Sequence, residues 1–408
     1  MNGRLGLITT NGSILTINGG SSSIKFAIFQ YAPSIKRVIE GSIDRIGLNG
    51  TSFTFNNLVN QQQDKSPITA VDHQSSASYL LDWLVSQDEF SSVVAVGHRI
   101  VHGMSRHLPA IVTPDLIDEL TAISAYDPDH LPAEIKLIEA FLKRHPSLIQ
   151  VTCFDTAFHY DMPRVAKLLA IPRRYSEQGI QRYGFHGLSY AYLMEALVNL
   201  GDMAAKDGKI ILTHLGSGAS MAAILNGKSI DTSMGFTPTS GLPMSTRSGD
   251  IDPGLLSYFQ VAEKMTVTQF HQMINQESGL LGVSETSPDM RDLLALEQDD
   301  VRAAEAVALF CYQAKKCIGS YAAALGGLDT LVFSGGIGEN AAVVRARICE
   351  GLGFLGIELA TEQNDKNASL ISSDTSRVKV RVIHTDEAQM IAKSVVRFLS
   401  PALNLEIS

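Results

Sequence analysis

Two stretches of this chain follow one plan. LTINGGSSSIKFAIF (15–29) and LTHLGSGASMAAIL (212–225) each read as an apolar strand, a small polar loop and a second apolar strand. A chain that writes the same hairpin in both halves is expected to fold as two units built alike, with the two loops facing one cleft. In the first copy, Asn18 to Ser23 are all small and polar. A tight hairpin needs only about two turn residues, so six predict a wider loop with many exposed backbone N–H groups. Glycine lets such a backbone approach a ligand closely, and successive amides make an anion-binding nest. An ordinary turn is the bland alternative.

Strand-like and helix-like segments alternate along the 408 residues, which predicts an α/β architecture of two or three domains. The polar run 56–76, with its QQQ, reads as a surface excursion. SYLLDWLV reads as a helix, and VVAVGHRIVHG as a strand entering a loop. In TPDLIDELTAI, Thr113 is the expected cap and Pro114 suits the first turn. PAEIKLIEAFLKR has helical spacing, and IQVTCFDTAF is a buried-strand pattern ending on Asp155. Residues 300–325 read as a core helix, TLVFSGGIGEN as a strand meeting a glycine turn, and VKVRVIHTDEAQMIAKSVVRFL as strand, loop and helix. The expected division is 1–158 plus 388–408 as the first domain and 159–387 as the second.

Bulk properties exclude several classes. A net charge of −9 without a long Lys/Arg run argues against nucleic-acid binding. No apolar run approaches the ~20 residues of a membrane span. The start, MNGRLGLITTNGS, has no apolar h-region, so no signal peptide is expected and a cytoplasmic location is. Four cysteines without CxxC spacing predict buried reduced thiols.

Three Gly/Ser segments, 19–23, 216–220 and 335–338, each follow an apolar strand, which points to a site for several phosphate groups. None is a GxxxxGK[ST] loop or a full GxGxxG. GHRIVHG puts Arg99 at a strand end beside glycines, and STRSGDIDPG puts Arg247 in a Gly/Ser loop. Such guanidinium forks suit phosphoryl oxygens; a surface ion pair is the plain alternative for either. Asp155, and Asp386 with Glu387, are candidates for Mg²⁺, which takes few carboxylates plus substrate phosphates; helix capping competes for the last two. His186 sits in a glycine-rich loop beside Tyr183 and Phe185. No HExxH and no GxSxG occurs.

Taken together, INGGSSSIKF, GHRIVHG, FDTAFH, RYGFHG, HLGSGAS, DTSMGFTP, TRSGDIDPG, SGLLGVSETSPDMRD, FSGGIGEN and HTDEA resemble the acetate kinase family, which includes propionate kinases. The likeness runs from about residue 14 to the C-terminal helix. It implies two related domains of the actin, hexokinase and Hsp70 (ribonuclease H-like) type around a nucleotide cleft. It also implies reversible transfer of the ATP γ-phosphoryl, with Mg²⁺ (or Mn²⁺), to acetate or propionate, giving acyl phosphate and ADP. A homodimer is implied as well.

By the same resemblance, Asn18 contacts the moving phosphoryl and, with Glu387, serves the metal; Ser21, Ser23 and Lys25 lie nearby. Arg99 and Arg247 bind carboxylate and phosphoryl oxygens, and His130 and His186 stabilise the transition state. Asp155 and Glu387 organise the metal and the attacking carboxylate. His214, Gly216, Ser217 and Gly218 form the second phosphate loop. Asp289, Met290 and Arg291 match the adenosine segment, and Gly336, Ile337, Gly338, Glu339 and Asn340 the loop at the nucleotide. Val101, Phe185 and Pro238 line the acyl pocket.

The chain departs from the family pattern at Gly19, Asp129, Tyr190, Ser217, Ala219, Ser245, Asp386 and Ala388. A carboxylate at 129 would repel an acyl tail if it pointed inward. Other readings keep the fold but change the acceptor or use pyrophosphate as donor, or make the chain a non-catalytic nucleotide-binding switch. A larger or more polar carboxylate is the acceptor that Asp129 would favour.

Overall fold

Strand register organises each half of the chain. The computed structural model describes residues 12–403, except 21, 32, 33, 48 and 71 and the side chains of 401–403. Contacts divide it into two units, 1–157 with 386–408, and 158–385. Ser21, one of the expected phosphate ligands, and the first eleven residues lie outside the described set.

The first unit holds β1 (Ser13–Gly19), β2 (Ser23–Gln30), β3 (Lys36–Asp44), β4 (Ser52–Asn57), β5 (Gln62–Pro67), β6 (Val93–Ile100), β7 (Ala110–Ile111) and β8 (Ile149–Phe154). They make one sheet in the order β5-β4-β3-β2-β1-β6-β8-β7. β1 pairs antiparallel with β2 and parallel with β6, and β6 pairs parallel with β8. Three helices, α1 (His73–Val85), α2 (Pro114–Ala122) and α3 (Leu131–Arg144), follow the strand hairpins. Thr113 caps α2 as expected, its hydroxyl accepting from the Leu116 N–H at 3.2 Å.

Alternation decides what covers the sheet. Leu15, Ile17, Phe26, Ile28 and Phe53 meet Leu80, Leu81 and Leu84 of α1 and Phe141 of α3 in one core. Trp83 closes it edge-on against Phe26 and Phe53. Glu387–Leu403, the C-terminal helix, packs on β1 and β6. Its close approach requires Gly97, where a Cβ would stand 2.6 Å from Ile391 Cγ2 and 2.7 Å from Val395 Cγ2.

In the second unit, β9 (Lys209–Leu215), β10 (Ala219–Leu225), β11 (Lys228–Thr232), β12 (Thr330–Ser334) and β13 (Lys379–Val382) are ordered β11-β10-β9-β12-β13. β9 pairs antiparallel with β10 and parallel with β12, which pairs parallel with β13. This is the pattern of β3-β2-β1-β6-β8. The sequence echo is therefore an echo of topology. Val301–Leu325 is the long core helix, capped by Asp300 and ended by Gly326 in the left-handed region.

Two local expectations need correction. The first loop is narrow, because the β1–β2 ladder continues through Asn18↔Lys25 and Gly19↔Ile24. Just past β1 the Gly20 N–H closes on the Ser23 carbonyl at 2.7 Å. The third glycine segment is not an open turn but the short helix Gly335–Asn340, entered through Gly335 at φ +76°. The polar run 56–76 lies at the surface as expected and includes a regular strand. β5 pairs with β4 as an exposed edge strand, since β4 buries Phe53 and Phe55 on one face and leaves an edge to fill.

Candidate active site

Parallel pairing gathers the first group. β1, β6 and β8 run side by side in one direction, and ligands of α/β sheets bind beyond the carboxyl ends of such strands. Asn18 stands near the end of β1, Arg99 near the end of β6, and Asp155 just past β8. Arg99 NH1 donates to Glu134 Oε1 and NH2 to Asp155 Oδ2, both at 2.9 Å. Burial works against the charge on Arg99, yet Asp155, Glu134 and Glu387 outweigh it and hold the guanidinium protonated above its usual range.

Asn18 Nδ2 donates to Glu387 Oε2 at 2.8 Å. Asp386 plays a different part. It accepts from the Gln389 N–H at 2.9 Å and so caps the C-terminal helix, and Arg37 pairs with it at 2.5 Å. Of the two acids in HTDEA, capping falls to Asp386. Lys25 is exposed and lies opposite Asn18 across the β1–β2 ladder, so both side chains share one face. Ser23 opens β2.

His130 precedes α3 and pairs through Nδ1 with Asp127 Oδ1 at 2.8 Å. Burial pushes against ionised Asp127, but the His130 contact prevails and its carboxyl sits below the usual range. Asp129 lines a surface cleft of about 300 Å³ with Asp72, His73, Gln74 and Lys136.

The second unit assembles its own group. His186 adopts φ +58°, ψ +25°, a conformation rare outside glycine and found where a site holds strain. Its Nδ1 meets Ser220 Oγ at 2.8 Å, and the same hydroxyl meets Tyr190 OH at 2.5 Å. The His186 ring stacks on His214 with centroids 4.1 Å apart, and His214 Nδ1 meets Ser189 Oγ at 2.9 Å. Arg247 donates through NH1 to the Pro238 carbonyl at 2.7 Å. A Cβ on Gly218 would lie 3.2 Å from His186 Nε2 and 3.4 Å from Arg247 NH2, so the imidazole and the guanidinium converge on this glycine.

The loop 216–218 is tied to the arginine loop by the Ser245 N–H donating to the Ser217 carbonyl at 3.1 Å. It also adjoins the third glycine segment, since a Cβ on Gly216 would be 3.8 Å from the Gly336 nitrogen. In that segment Glu339 Oε1 accepts from the Gly335 and Thr385 N–H groups, and Oε2 meets His384 Nδ1 at 2.7 Å. Its carboxylate therefore shapes the backbone. Asn340 Nδ2 donates to the Gly336 carbonyl at 3.0 Å. Gly338 is buried, and its carbonyl accepts from fully buried Arg345.

Asp289 caps the helix Met290–Leu296 and pairs with the exposed Arg291 at 2.6 Å. That contact holds the Asp289 carboxyl below the usual range. Met290 is buried, and among the described residues the polar contacts of Asp289 and Arg291 stay local. Phe185 is buried, and its carbonyl meets His159 Nε2 at 3.1 Å.

Against this geometry the comparisons with known proteins fall into place. The model of the acetokinase family matches residues 13–393. The chain belongs to the acetokinase family. An acetate kinase from Rhodopseudomonas palustris (strain TIE-1) is 43% identical over 390 residues, covering 94% of this chain and 98% of that one. A propionate kinase from Escherichia fergusonii is 41% identical over 394 residues, covering 95% and 97%. The crystal structure of a propionate kinase from Francisella tularensis subsp. tularensis SCHU S4 superposes with a TM-score of 0.87 at 36% identity, covering 94% and 98%. The acetokinase fold is the two-domain actin, hexokinase and Hsp70 type, as the sequence resemblance implies.

Two contributors to this acetokinase site escaped the sequence reading. Glu134 bonds Arg99 and is 2% exposed. It occupies the stripe Leu131, Ile135, Ile138, Phe141 at helical spacing, and a charge inside an apolar stripe was its legible signal. Ser220 joins Tyr190 to His186 and carried no signal beyond its place in a Gly/Ser loop. Among the described residues no three His, Cys, Asp or Glu side chains gather as a metal cage. Asn18 and Glu387 instead offer a small set of hard oxygen donors, which fits Mg²⁺ shared with substrate phosphates. The cysteines are free, and burial pushes the Cys153 thiol up to about 12 and Cys311 to about 11.

Proposed function

We propose that this acetokinase transfers the γ-phosphoryl of ATP reversibly to a short carboxylate, acetate or propionate, giving acyl phosphate and ADP. The observation that carries the reading is Arg99, held by Asp155 and Glu134 at the carboxyl end of a parallel strand, beside the Asn18–Glu387 contact. The names of the relatives support the same chemistry.

A carboxylate is nucleophilic at neutral pH, so no strong base is needed; its difficulty is approaching a polyanion. One carboxylate oxygen forms the new P–O bond while the bond to the β-phosphate oxygen breaks and ADP leaves with that electron pair. No proton is transferred. In the first unit, Arg99 orients the acceptor carboxylate, Val101 serves its acyl chain and His130 donates to developing charge. Asn18 and Glu387 would hold Mg²⁺, which would offset phosphate charge when bound. In the second unit, Arg247 and His186 donate to phosphoryl oxygens, and the loops at 216–218 and 336–340 serve the nucleotide. Cationic donors fixed before the reaction stabilise such a transition state without reorganisation.

We further infer a cytoplasmic homodimer. The helix Gly254–Ala262, GLLSYFQVA, buries none of its residues; Tyr258 is 62% and Val261 75% exposed. A second copy is the expected cover for such an apolar helix. No helix of the described residues is long and apolar enough to cross a membrane.

A hydroxamate assay with Mg-ATP and acetate, propionate, butyrate or no acceptor tests the reading. Acyl phosphate should form with acetate or propionate and vanish without acceptor. ATP binding without turnover on any of the three would overturn it.

A further inference from the structure

Glu134 is buried to 2% exposure on α3, among Leu131, Ile135 and Ile138. An ionisable group in such a place is costly unless partners satisfy it. Both of its oxygens are used. Oε1 accepts from Arg99 NH1 at 2.9 Å, and Oε2 accepts from the Val101 N–H at 2.9 Å. One carboxylate thus grips a guanidinium at the end of β6 and the backbone two residues further on. Asp155 takes the other terminal nitrogen of Arg99 at 2.9 Å, so the planar fork is fixed at two corners. The arginine remains 13% exposed.

We propose that Glu134 is a positioning residue for the acceptor: it sets Arg99 and the Val101 strand end in one arrangement to which the substrate carboxylate binds. The proposal rests on the reading of Arg99 as the carboxylate ligand. A long arginine side chain gives up rotamer freedom when it binds, and an arginine already held by Glu134 and Asp155 has given it up during folding. Preorganisation of this kind appears as affinity for the ligand that uses it. Asp155 alone leaves the guanidinium able to pivot about one contact. Asp127 and Glu387 also face this arginine electrostatically, but neither hydrogen-bonds it.

A merely structural role and a positioning role part company in the kinetics. KM for acetate and for Mg-ATP, kcat and the melting temperature are to be measured at pH 9, where Glu134 is ionised and accepts through both oxygens, for wild type, Glu134→Gln and Glu134→Ala. The glutamine amide has a single acceptor oxygen, so it can serve Arg99 or Val101 but not both. KM for acetate should rise on the order of tenfold in Glu134→Gln and about a hundredfold in Glu134→Ala. KM for ATP should stay at the wild-type value in both, and the glutamine should rescue part of what the alanine loses. Should the alanine variant fail to fold, the near-isosteric glutamine carries the test alone. An unmoved acetate KM in Glu134→Gln overturns the proposal, and so do equal rises for acetate and ATP. Silence of the wild type with every acceptor overturns the functional reading and this proposal with it; an active wild type keeps the two failures apart.

Discussion

Asn18 donates its amide N–H to Glu387 at 2.8 Å, joining residues from opposite ends of the chain within one unit. The end of β1 and the start of the C-terminal helix thereby present two oxygen-bearing side chains together. Asn18→Ala removes an amide but little packing, since Asn18 is only partly buried. Turnover should fall on the order of a hundredfold or more with an unchanged circular dichroism spectrum. Removing Mg²⁺ with excess chelator should abolish turnover in the wild type. Wild-type-like kcat in folded Asn18→Ala protein would remove this residue from the site.

Gly218 is required by what crowds it. An added methyl group would sit 3.2 Å from His186 Nε2, where the ring must give by tenths of an ångström, and 3.4 Å from Arg247 NH2, at the limit of ordinary contact. Positioning errors of that size cost catalysis more than stability. Gly218→Ala should lower kcat on the order of tenfold to a hundredfold, with its melting temperature close to wild type. A large loss of melting temperature at full specific activity would contradict the convergence of the two donors.

The Tyr190 hydroxyl bonds the serine that bonds His186. Tyr190→Phe keeps the ring in its fully buried place and removes one hydrogen bond. A stability loss of about 1 kcal/mol is expected, readable by urea denaturation. The kcat should drop several-fold, because Ser220 loses the bond that orients its hydroxyl toward His186 and holds that ring less firmly. Equal kcat for the two proteins would confine Tyr190 to packing.

Burial pushes the Glu134 carboxyl up to about 8 from an ordinary value of 4.5, with Arg99 and the Val101 N–H opposing. Asp127 and Asp155 also face it and repel its ionised form. The sign follows from proton counting. Between 4.5 and about 8 the unfolded chain releases this proton while the folded chain keeps it. The group's contribution to stability is therefore full below 4.5 and is lost as pH rises through about 8. Glu134→Gln has no such proton. Its melting temperature relative to wild type should climb from pH 5 to pH 8.5, and a flat difference across that range would refute the shift.

Much of this was written in the chain. Periodicity marked the strands and helices, Thr113 and Asp300 marked helix starts, and the repeated hairpin marked two units of one topology. The motif set sufficed to identify the family. Side-chain alternation and capping act over a few residues, so they are legible in sequence. Tertiary structure alone decided the rest. It narrowed the first loop, because the cross-strand ladder outlasts the change in composition at Asn18. It assigned capping to Asp386 and the Asn18 contact to Glu387, adjacent acids that residue type alone left on equal terms and between which only the family resemblance chose. It also placed Glu134 under Arg99 and Ser220 under His186, partners 35 and 34 positions away. Such contacts depend on which strand ends become neighbours in a sheet. Strand order is set by packing over the whole unit, and no local window of sequence contains it.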